Sequence, residues 1–427
     1  MRKKIMFGFI LIIGVFIYAR FGISAIEQKK KDELYKQVEI FSDSLAIIQT
    51  EYVDEPKPKD LIYGALKGML GSLDPHSQFM DPDTYNELKV DTEGKFGGLG
   101  IEITIKDGLL TVVTPIEDTP AWKAGLKAGD RIVKINDDLT RDMSLTDAVK
   151  RMRGKVGEVV NLSIMRESEK KILDFKITRD VIKIKDIKEV RILEDGIGYI
   201  RLSEFRENTS KDLNIALENL GKQGMNALVI DLRNNPGGLL DVAVKVAEKF
   251  TPKGKMIVYT KGRKPSQNLE FISKENKPIL DLPIVVLINE GSASGSEIVA
   301  GCLQDYKRAI VVGTKSFGKG SVQTVIPLGD GSALRLTTSK YFTPSGKVIH
   351  GNGVNPDIVV EEGKIELDQN EKLKAENKDN IFEELEKKEQ VKQDKKFEYK
   401  SDNQLMRAVD ILKALKFYDS KEKAQKQ

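Results

Sequence analysis

Apolar residues recur along this chain at spacings that change from region to region, and each spacing predicts a different kind of element. Across residues 30–92, Val38, Phe41, Leu45 and Ile48 fall three and four apart, which predicts a helix, and a second helical run begins near Asp60. Leu73-Asp74-Pro75-His76-Ser77 breaks that pattern. Pro75 behind Asp74 suits a capped helical turn, so His76 reads as a turn residue and not a catalytic one. Over residues 95–180 the pattern shortens to strands. Ile101 to Ile105 and Leu109 to Val113 flank the hairpin signal Lys106-Asp107-Gly108, and Val160, Leu162 and Ile164 alternate as a half-buried strand does. Ser144-Leu145-Thr146-Asp147 has capping-box form ahead of a short helix at Ala148 to Met152.

Residues 185–360 return to longer units. Short apolar runs at Gly198 to Leu202, Ala227 to Leu232, Ile284 to Asn289 and Ile310 to Gly313 alternate with helical spacing at Leu239 to Phe250 and Ser296 to Tyr306. That alternation predicts an α/β core around a buried sheet. Within 361–427 a charged stretch to about residue 400 reads as a solvated linker, and Leu405, Ala408, Val409, Leu412 and Leu415 form the stripe of a docking helix.

The N-terminus stands apart from all of this. Arg2-Lys3-Lys4 precedes an uncharged, mostly apolar run from Ile5 to Ala19 that continues more weakly past Arg20 to Ile26. Residues 1–26 therefore predict an export signal. The basic start stays cytoplasmic and the remainder faces outward from a bacterial cell membrane, as a single-pass anchored protein or a secreted one if the signal is cleaved.

Composition narrows the chemistry. Of 427 residues, 40% are hydrophobic and 31% charged, which suits a globular protein, and 69 basic against 65 acidic residues leave a net +4. So small an excess, with no aromatic-interleaved basic stripe, argues against nucleic-acid binding. Cys302 is the only cysteine and His76 and His350 the only histidines, so a disulfide and a structural zinc cluster both lack residues. No metal or cofactor is called for. Catalysis falls to Ser, Lys, carboxylates and backbone.

Asn289-Glu290-Gly291-Ser292-Ala293-Ser294-Gly295-Ser296-Glu297 lies between a predicted strand and a predicted helix. A serine in that turn sits near a helix N-terminus, where unpaired N–H groups favour negative charge. Local chemistry does not choose among Ser292, Ser294 and Ser296. The Gly295 N–H is a natural oxyanion donor for Ser294, and a second can come from Gly237 or Gly238 in Asp231-Leu232-Arg233-Asn234-Asn235-Pro236-Gly237-Gly238, another strand-to-helix turn. Lys319, in the glycine-flanked Phe317-Gly318-Lys319-Gly320, is the candidate base, provided burial keeps its amine neutral.

Gly97-Gly98-Leu99-Gly100, together with Pro120-Ala121-Trp122-Lys123-Ala124-Gly125-Leu126 and Gly129-Asp130-Arg131-Ile132, resembles a PDZ domain. A PDZ domain implies capture of a free peptide C-terminus, its carboxylate received by the backbone N–H groups of Gly97, Gly98, Leu99 and Gly100. The Gly-Ser-Ala-Ser-x-Ser-Glu run, Gln304-Asp305-Tyr306-Lys307-Arg308-Ala309, Phe317-Gly318-Lys319-Gly320-Ser321-Val322-Gln323 and the Asn-Pro-Gly-Gly loop together resemble the carboxy-terminal processing peptidases of family S41, over roughly residues 35 to 360. That resemblance implies Ser294 as nucleophile, Lys319 as general base and Gln323 orienting the lysine. It also implies a crotonase- or Clp-protease-like α/β core with an inserted, mostly β PDZ domain and helical N- and C-terminal parts. Arg153 matches a position where the PDZ domain touches the core in some members, and equally reads as a helix-end cation. Gly295 stands where many members have alanine, and Asp305 is read as structural.

The implied function is that of a serine endopeptidase that takes exported or envelope proteins by their free C-terminal tails and cuts them. Its partners are those substrates and the cytoplasmic membrane, and a homo-oligomer is compatible with the sequence. An inactive exported PDZ scaffold is the alternative from a different class. A Ser-His-Asp hydrolase would have to use His350, which reads as a turn residue. An NTPase reading of Gly313 to Lys319 fails because Gly320 replaces the magnesium-binding Ser or Thr and a strand follows where a helix should begin.

Overall fold

The computed structural model describes residues 32–363 and 399–425, apart from 107, 117, 142, 168, 170 and 280. The expected signal segment and most of the charged linker lie outside the described residues. Among the described residues no helix is long and apolar enough to cross a membrane. The chain begins with α1 (residues 32–51), which leaves Tyr35, Val38, Phe41 and Ile48 exposed, and α2 (Pro58–Gly71). Asp74 then folds the chain back, accepting from the N–H groups of His76 at 2.8 Å and Ser77 at 2.9 Å and from the Ser77 hydroxyl at 2.7 Å. The chain leaves this turn as a strand, β1 (Gln78–Met80), where the sequence suggested more helix. Its partner is a strand far along the chain, with Phe79 opposite Leu334, so nothing local announces it. Helix α3 (Pro82–Glu93) starts on the side chain of Asp81 and ends at Gly94, whose φ of 65° favours glycine.

A β-rich module is inserted next. It contains β2 (Lys95–Gly98), β3 (Ile101–Lys106), β4 (Leu109–Pro115), α4 (Pro120–Lys123), β5 (Arg131–Ile135), β6 (Asp138–Leu139), α5 (Leu145–Met152), β7 (Val159–Arg166), β8 (Lys171–Thr178) and β9 (Asp180–Lys183). Strands β3, β4, β5, β7 and β8 form one sheet, and β2 pairs with β9 where the module begins and ends. Leu99, Leu110, Val112, Ile132, Ala148, Leu162 and Ile164 fill its core, which is why the period-two pattern was so clear there. The capping box at Ser144 starts α5 as predicted, with the hydroxyl accepting from Asp147 N–H at 3.1 Å.

The rest is the α/β core: β10 (Ile187–Ile192), β11 (Ile197–Leu202), α6 (Thr209–Lys222), β12 (Ala227–Asp231), α7 (Leu240–Glu248), β13 (Met256–Gly262), β14 (Glu270–Ile272), β15 (Ile284–Ile288), α8 (Gly295–Asp305), β16 (Ile310–Gly313), β17 (Ser321–Pro327), β18 (Ala333–Phe342) and β19 (Ile358–Val359). One sheet runs β10-β11-β12-β15-β16-β19, parallel except where β10 meets β11. Its inner strands β11, β12, β15 and β16 are largely apolar on both faces. Ile200, Leu228, Ile230, Val286 and Ile288 pack against α6, α7 and α8, whereas Tyr199, Val229, Val285, Leu287 and Val312 pack against the C-terminal helix α9 (Asn403–Gln425) through Leu405, Ala408, Val409 and Leu412. Burial on both sides produces the uninterrupted apolar runs seen in the sequence. Arg233 locks α9 to β12, bonding Asp231 and Asp402 at 2.7 Å each and Gln404 at 2.9 Å. A second sheet, β1-β18-β13-β14 with β17 hairpinned onto β18, carries the chain beyond Lys319.

Candidate active site

The turn from β15 into α8 is held by its own serines and by asparagines of the neighbouring loop after β12. Ser292 Oγ donates to Leu232 O at 2.8 Å, Ser296 Oγ donates to Asn235 O at 2.8 Å, and Asn289 Oδ1 accepts from Asn234 N–H at 2.8 Å. Ser292 and Ser296 are fully buried, and their hydroxyls stitch the two loops together. Ser294 differs. It has φ 52° and ψ −110°, a conformation rarely held by a residue with a side chain, and it lines an open cavity. The structure thus separates three serines that local sequence left equivalent.

Glu297, on the first turn of α8, is completely buried, and although it ends the serine-rich motif, the sequence alone assigns it no role in the site. Its carboxylate accepts from Ser294 N–H at 2.8 Å, Ser316 Oγ at 2.6 Å, Gly318 N–H at 2.7 Å and Lys319 N–H at 2.9 Å. Burial pushes this carboxyl up from its ordinary value, and the four hydrogen bonds oppose that rise. The Ser294-x-x-Glu297 spacing is a capping-box signature and was the available clue. Its reach to the Lys319 loop was not readable, because those donors come from a separate strand exit.

Lys319 lies half-buried on the wall of the same cavity as Ser294. Burial lowers its amine below the ordinary lysine value, repulsion from Arg335 lowers it further, and Glu297 acts in the opposite sense. Gln323 lines the cavity too, with its amide nitrogen donating to Ser321 Oγ at 2.7 Å. Tyr341, another residue without a sequence signal, is buried beside Ser294. Burial pushes its phenol up to about 12, with the Ser294 hydroxyl opposing.

Gly237 and Gly238 complete the wall. A Cβ on Gly237 would lie 2.7 Å from Ser294 Cβ and 2.8 Å from Gly295 N, so only glycine permits this approach. Gly237 N–H is occupied, donating to Asn235 Oδ1 at 2.9 Å. Gly238 N–H and Gly295 N–H have no acceptor among the described residues. The cavity has a volume of about 370 Å³ and is finished by apolar Leu88, Leu239, Val322 and Val325 and by charged Asp91, Glu204, Arg206 and Arg335. A serine hydroxyl, a partly dehydrated amine and amide donors without an acceptor among the described residues share one concave site, a set of groups suited to acyl transfer.

The other sequence candidates fall elsewhere. Asp305 accepts from Ser345 N–H at 2.9 Å and Lys347 at 3.0 Å on a different surface, a structural placement. His350 occupies a turn and is absent from the lining of the Ser294 cavity. In the inserted module, Gly98, Leu99 and Gly100 border a small groove with Ile101, Ile103 and Val149, and the N–H groups of Leu99 and Gly100 meet no acceptor among the described residues. Gly97 is packed so closely that a Cβ would sit 2.1 Å from Gly154 O. Arg153 lies over the Phe96 ring at 4.2 Å and faces a cavity shared with Asp83, Asn86, Glu87 and Val90 of α3.

Comparison with known proteins adds independent findings. Residues 196–360 match the model of peptidase family S41, residues 111–166 that of the PDZ domain, and residues 19–84 that of the activating protease CtpB N-terminal domain. The chain is 47% identical over 368 residues to the carboxy-terminal-processing protease of Bartonella bacilliformis, covering 85% of this chain and 83% of that one. It is 34% identical over 404 residues to the carboxy-terminal processing protease CtpB of Bacillus subtilis strain 168, covering 89% and 83% respectively. Among solved structures, the photosystem II D1 C-terminal processing protease is 30% identical, with 75% of this chain and 92% of that one covered and a TM-score of 0.44.

Proposed function

The chain belongs to the carboxy-terminal processing proteases, peptidase family S41, and from that premise we propose that Ser294 is its nucleophile and Lys319 its general base. The observation that carries this assignment is the cavity shared by Ser294, Lys319 and Gly238, with the Ser292 and Ser296 hydroxyls already committed to carbonyls. As Ser294 Oγ bonds to the substrate carbonyl carbon, its proton passes to Lys319 Nζ. The oxyanion that forms is met by the N–H of Gly295 and by the 237–238 loop, Gly238 having the free donor. Collapse breaks the C–N bond, Lys319 returns the proton to the leaving amine, and an ester on Ser294 remains. Water, deprotonated by the same amine, then hydrolyses that ester and frees the hydroxyl. Gln323 orients the lysine in this reading, and support comes from its position in the same cavity with its amide nitrogen bonded to Ser321 Oγ.

The segment 95–180 acts as a PDZ domain that takes the free C-terminus of a protein substrate at Gly97 to Gly100, where β2 ends, delivering the chain to the core at 185–360. Support comes from the open N–H groups of Leu99 and Gly100 beside an apolar groove. Arg153 reports the state of that groove to α3, whose residues share its cavity. Residues 1–26 export the protease and anchor it in the cytoplasmic membrane with the catalytic part outside, or are removed to release it. The apolar side chains exposed on α1 favour self-association through the 30–92 region.

One experiment separates these assignments. Residues 27–427 are given an unstructured protein with a free or amidated C-terminus, beside Ser294→Ala and Lys319→Ala. Loss of cutting in both variants supports the dyad, and undiminished cutting in Lys319→Ala rejects it. Faster cutting of the free acid supports tail capture, and equal rates remove it.

A further inference from the structure

Arg335 lies on β18, opposite Gln78 of β1 and Val325 of β17, and its side chain lines the cavity that holds Ser294 and Lys319. It is half-buried there, and among the described residues its guanidinium has no ion pair and no hydrogen bond. The other charged groups on the wall are accounted for. Arg206 bonds Asp186 and Glu204 closely and approaches Asp91 Oδ1 at 3.5 Å, so both acidic residues of the cavity are turned to that one shared cation and not to Arg335. Lys319, as the proposed base, works as a neutral amine. A guanidinium left without a partner in a partly dehydrated site beside the nucleophile is costly to keep unless something in the working complex answers it.

We propose that Arg335 is a specificity residue that binds a substrate carboxylate next to the scissile bond. This rests on the assignment of the cavity as the active site. The planar guanidinium presents parallel N–H donors matched to the two oxygens of a carboxylate, and such bidentate pairs are strong in a site shielded from water. An extended substrate advances about 3.3 Å per residue, so a carboxylate within reach of this wall belongs to a residue flanking the cleaved bond. That carboxylate has two sources. It is the side chain of Asp or Glu, or the terminal carboxylate of a tail so short that its end remains in the cavity.

The test uses residues 27–427 and quenched peptides of one sequence. One pair differs by Glu against Gln at each flanking position in turn, and a second pair ends one residue beyond the cut as free acid or amide. The wild type is expected to favour the carboxylate member of one pair by about tenfold or more in kcat/KM, mostly through KM, the range of a charge-assisted hydrogen bond. Which pair responds identifies the source. Arg335→Gln should bring a Glu-to-Gln ratio to about one, or lower an acid-to-amide ratio about tenfold to whatever the PDZ domain alone contributes, and Arg335→Lys should keep part of the difference, since charge remains without the fork. A PDZ contribution to the acid and amide pair is untouched by Arg335→Gln, so the change in ratio isolates the cavity. Equal cleavage of all pairs by the wild type, or ratios that Arg335→Gln leaves unchanged, overturn the proposal. Cleavage of the neutral peptides that persists in Ser294→Ala would instead overturn the active-site assignment.

Discussion

The backbone N–H groups of Ser294 and Lys319 converge on a single atom, Oε2 of Glu297, at 2.8 and 2.9 Å. The turn that presents the hydroxyl and the loop that presents the amine leave different strands of the sheet, and this carboxylate fixes their separation. Positioning of this kind carries much of a catalyst's power, since a displacement of about 1 Å costs about 100-fold in rate.

Glu297→Gln keeps the size of the side chain and removes one acceptor, so it is expected to lower kcat by about 100-fold with a smaller effect on KM. Glu297→Ala orphans several buried donors at once and should cost about 3 kcal/mol or more of stability. Steady-state kinetics on a neutral peptide and chemical denaturation check both. Wild-type kcat in Glu297→Gln would show that the shared carboxylate does not position the pair.

The pH dependence of kcat has a defined sign. The base works only when neutral, so activity is lost as pH falls through the Lys319 pKa. Burial, and then Arg335, set that value below the ordinary lysine range, with Glu297 opposing. Burial holds the His76 imidazole below its ordinary value, and repulsion from Lys319 lowers it further. Arg335→Gln removes a repelling cation, so the protonated amine is less disfavoured and the acid limb of the profile moves to higher pH. Glu297→Gln removes an attracting anion and moves it to lower pH. Profiles of kcat on a neutral peptide, taken for both variants, read these opposite displacements.

The C-terminal helix is expected to support the active site from behind the sheet. Leu412 is fully buried against the face formed by Tyr199, Val229 and Leu287, and Leu412→Ala should cost about 2–5 kcal/mol, visible as a lower Tm. The same helix carries Asp402, which shares Arg233 with Asp231 at the end of β12, immediately before the 234–238 loop. Asp402→Asn is expected to lower kcat more than stability, by loosening the loop that supplies the Gly238 donor.

Legibility from sequence tracked the range of the interactions. Strands such as Ile284–Ile288 and Ile310–Gly313 were clear because burial on two faces demands consecutive apolar residues, and the module strands were clear because burial on one face demands alternation. The start of α5 at Ser144 was clear because its cap is local. By contrast, β1 looked like helix because its only justification is pairing with β18. Ser292, Ser294 and Ser296 looked alike because Leu232 O and Asn235 O, which claim two of them, belong to another loop. Glu297 showed its cap toward Ser294 but not its grip on Lys319. Tyr341 and Arg335 reach the cavity from β18, a strand whose sequence contains no motif of its own. Resemblance supplied the choice of Ser294 before the structure gave a physical ground for it.

Covalent labelling with a fluorophosphonate, read by intact mass and peptide mapping, puts the Ser294–Lys319 pair to its sharpest test. One adduct is expected, on Ser294, formed faster as pH rises through the Lys319 pKa, abolished in Ser294→Ala and slowed by at least about 100-fold in Lys319→Ala, the scale of general-base assistance. An adduct on another residue, or an unchanged labelling rate in Lys319→Ala, would refute the pair.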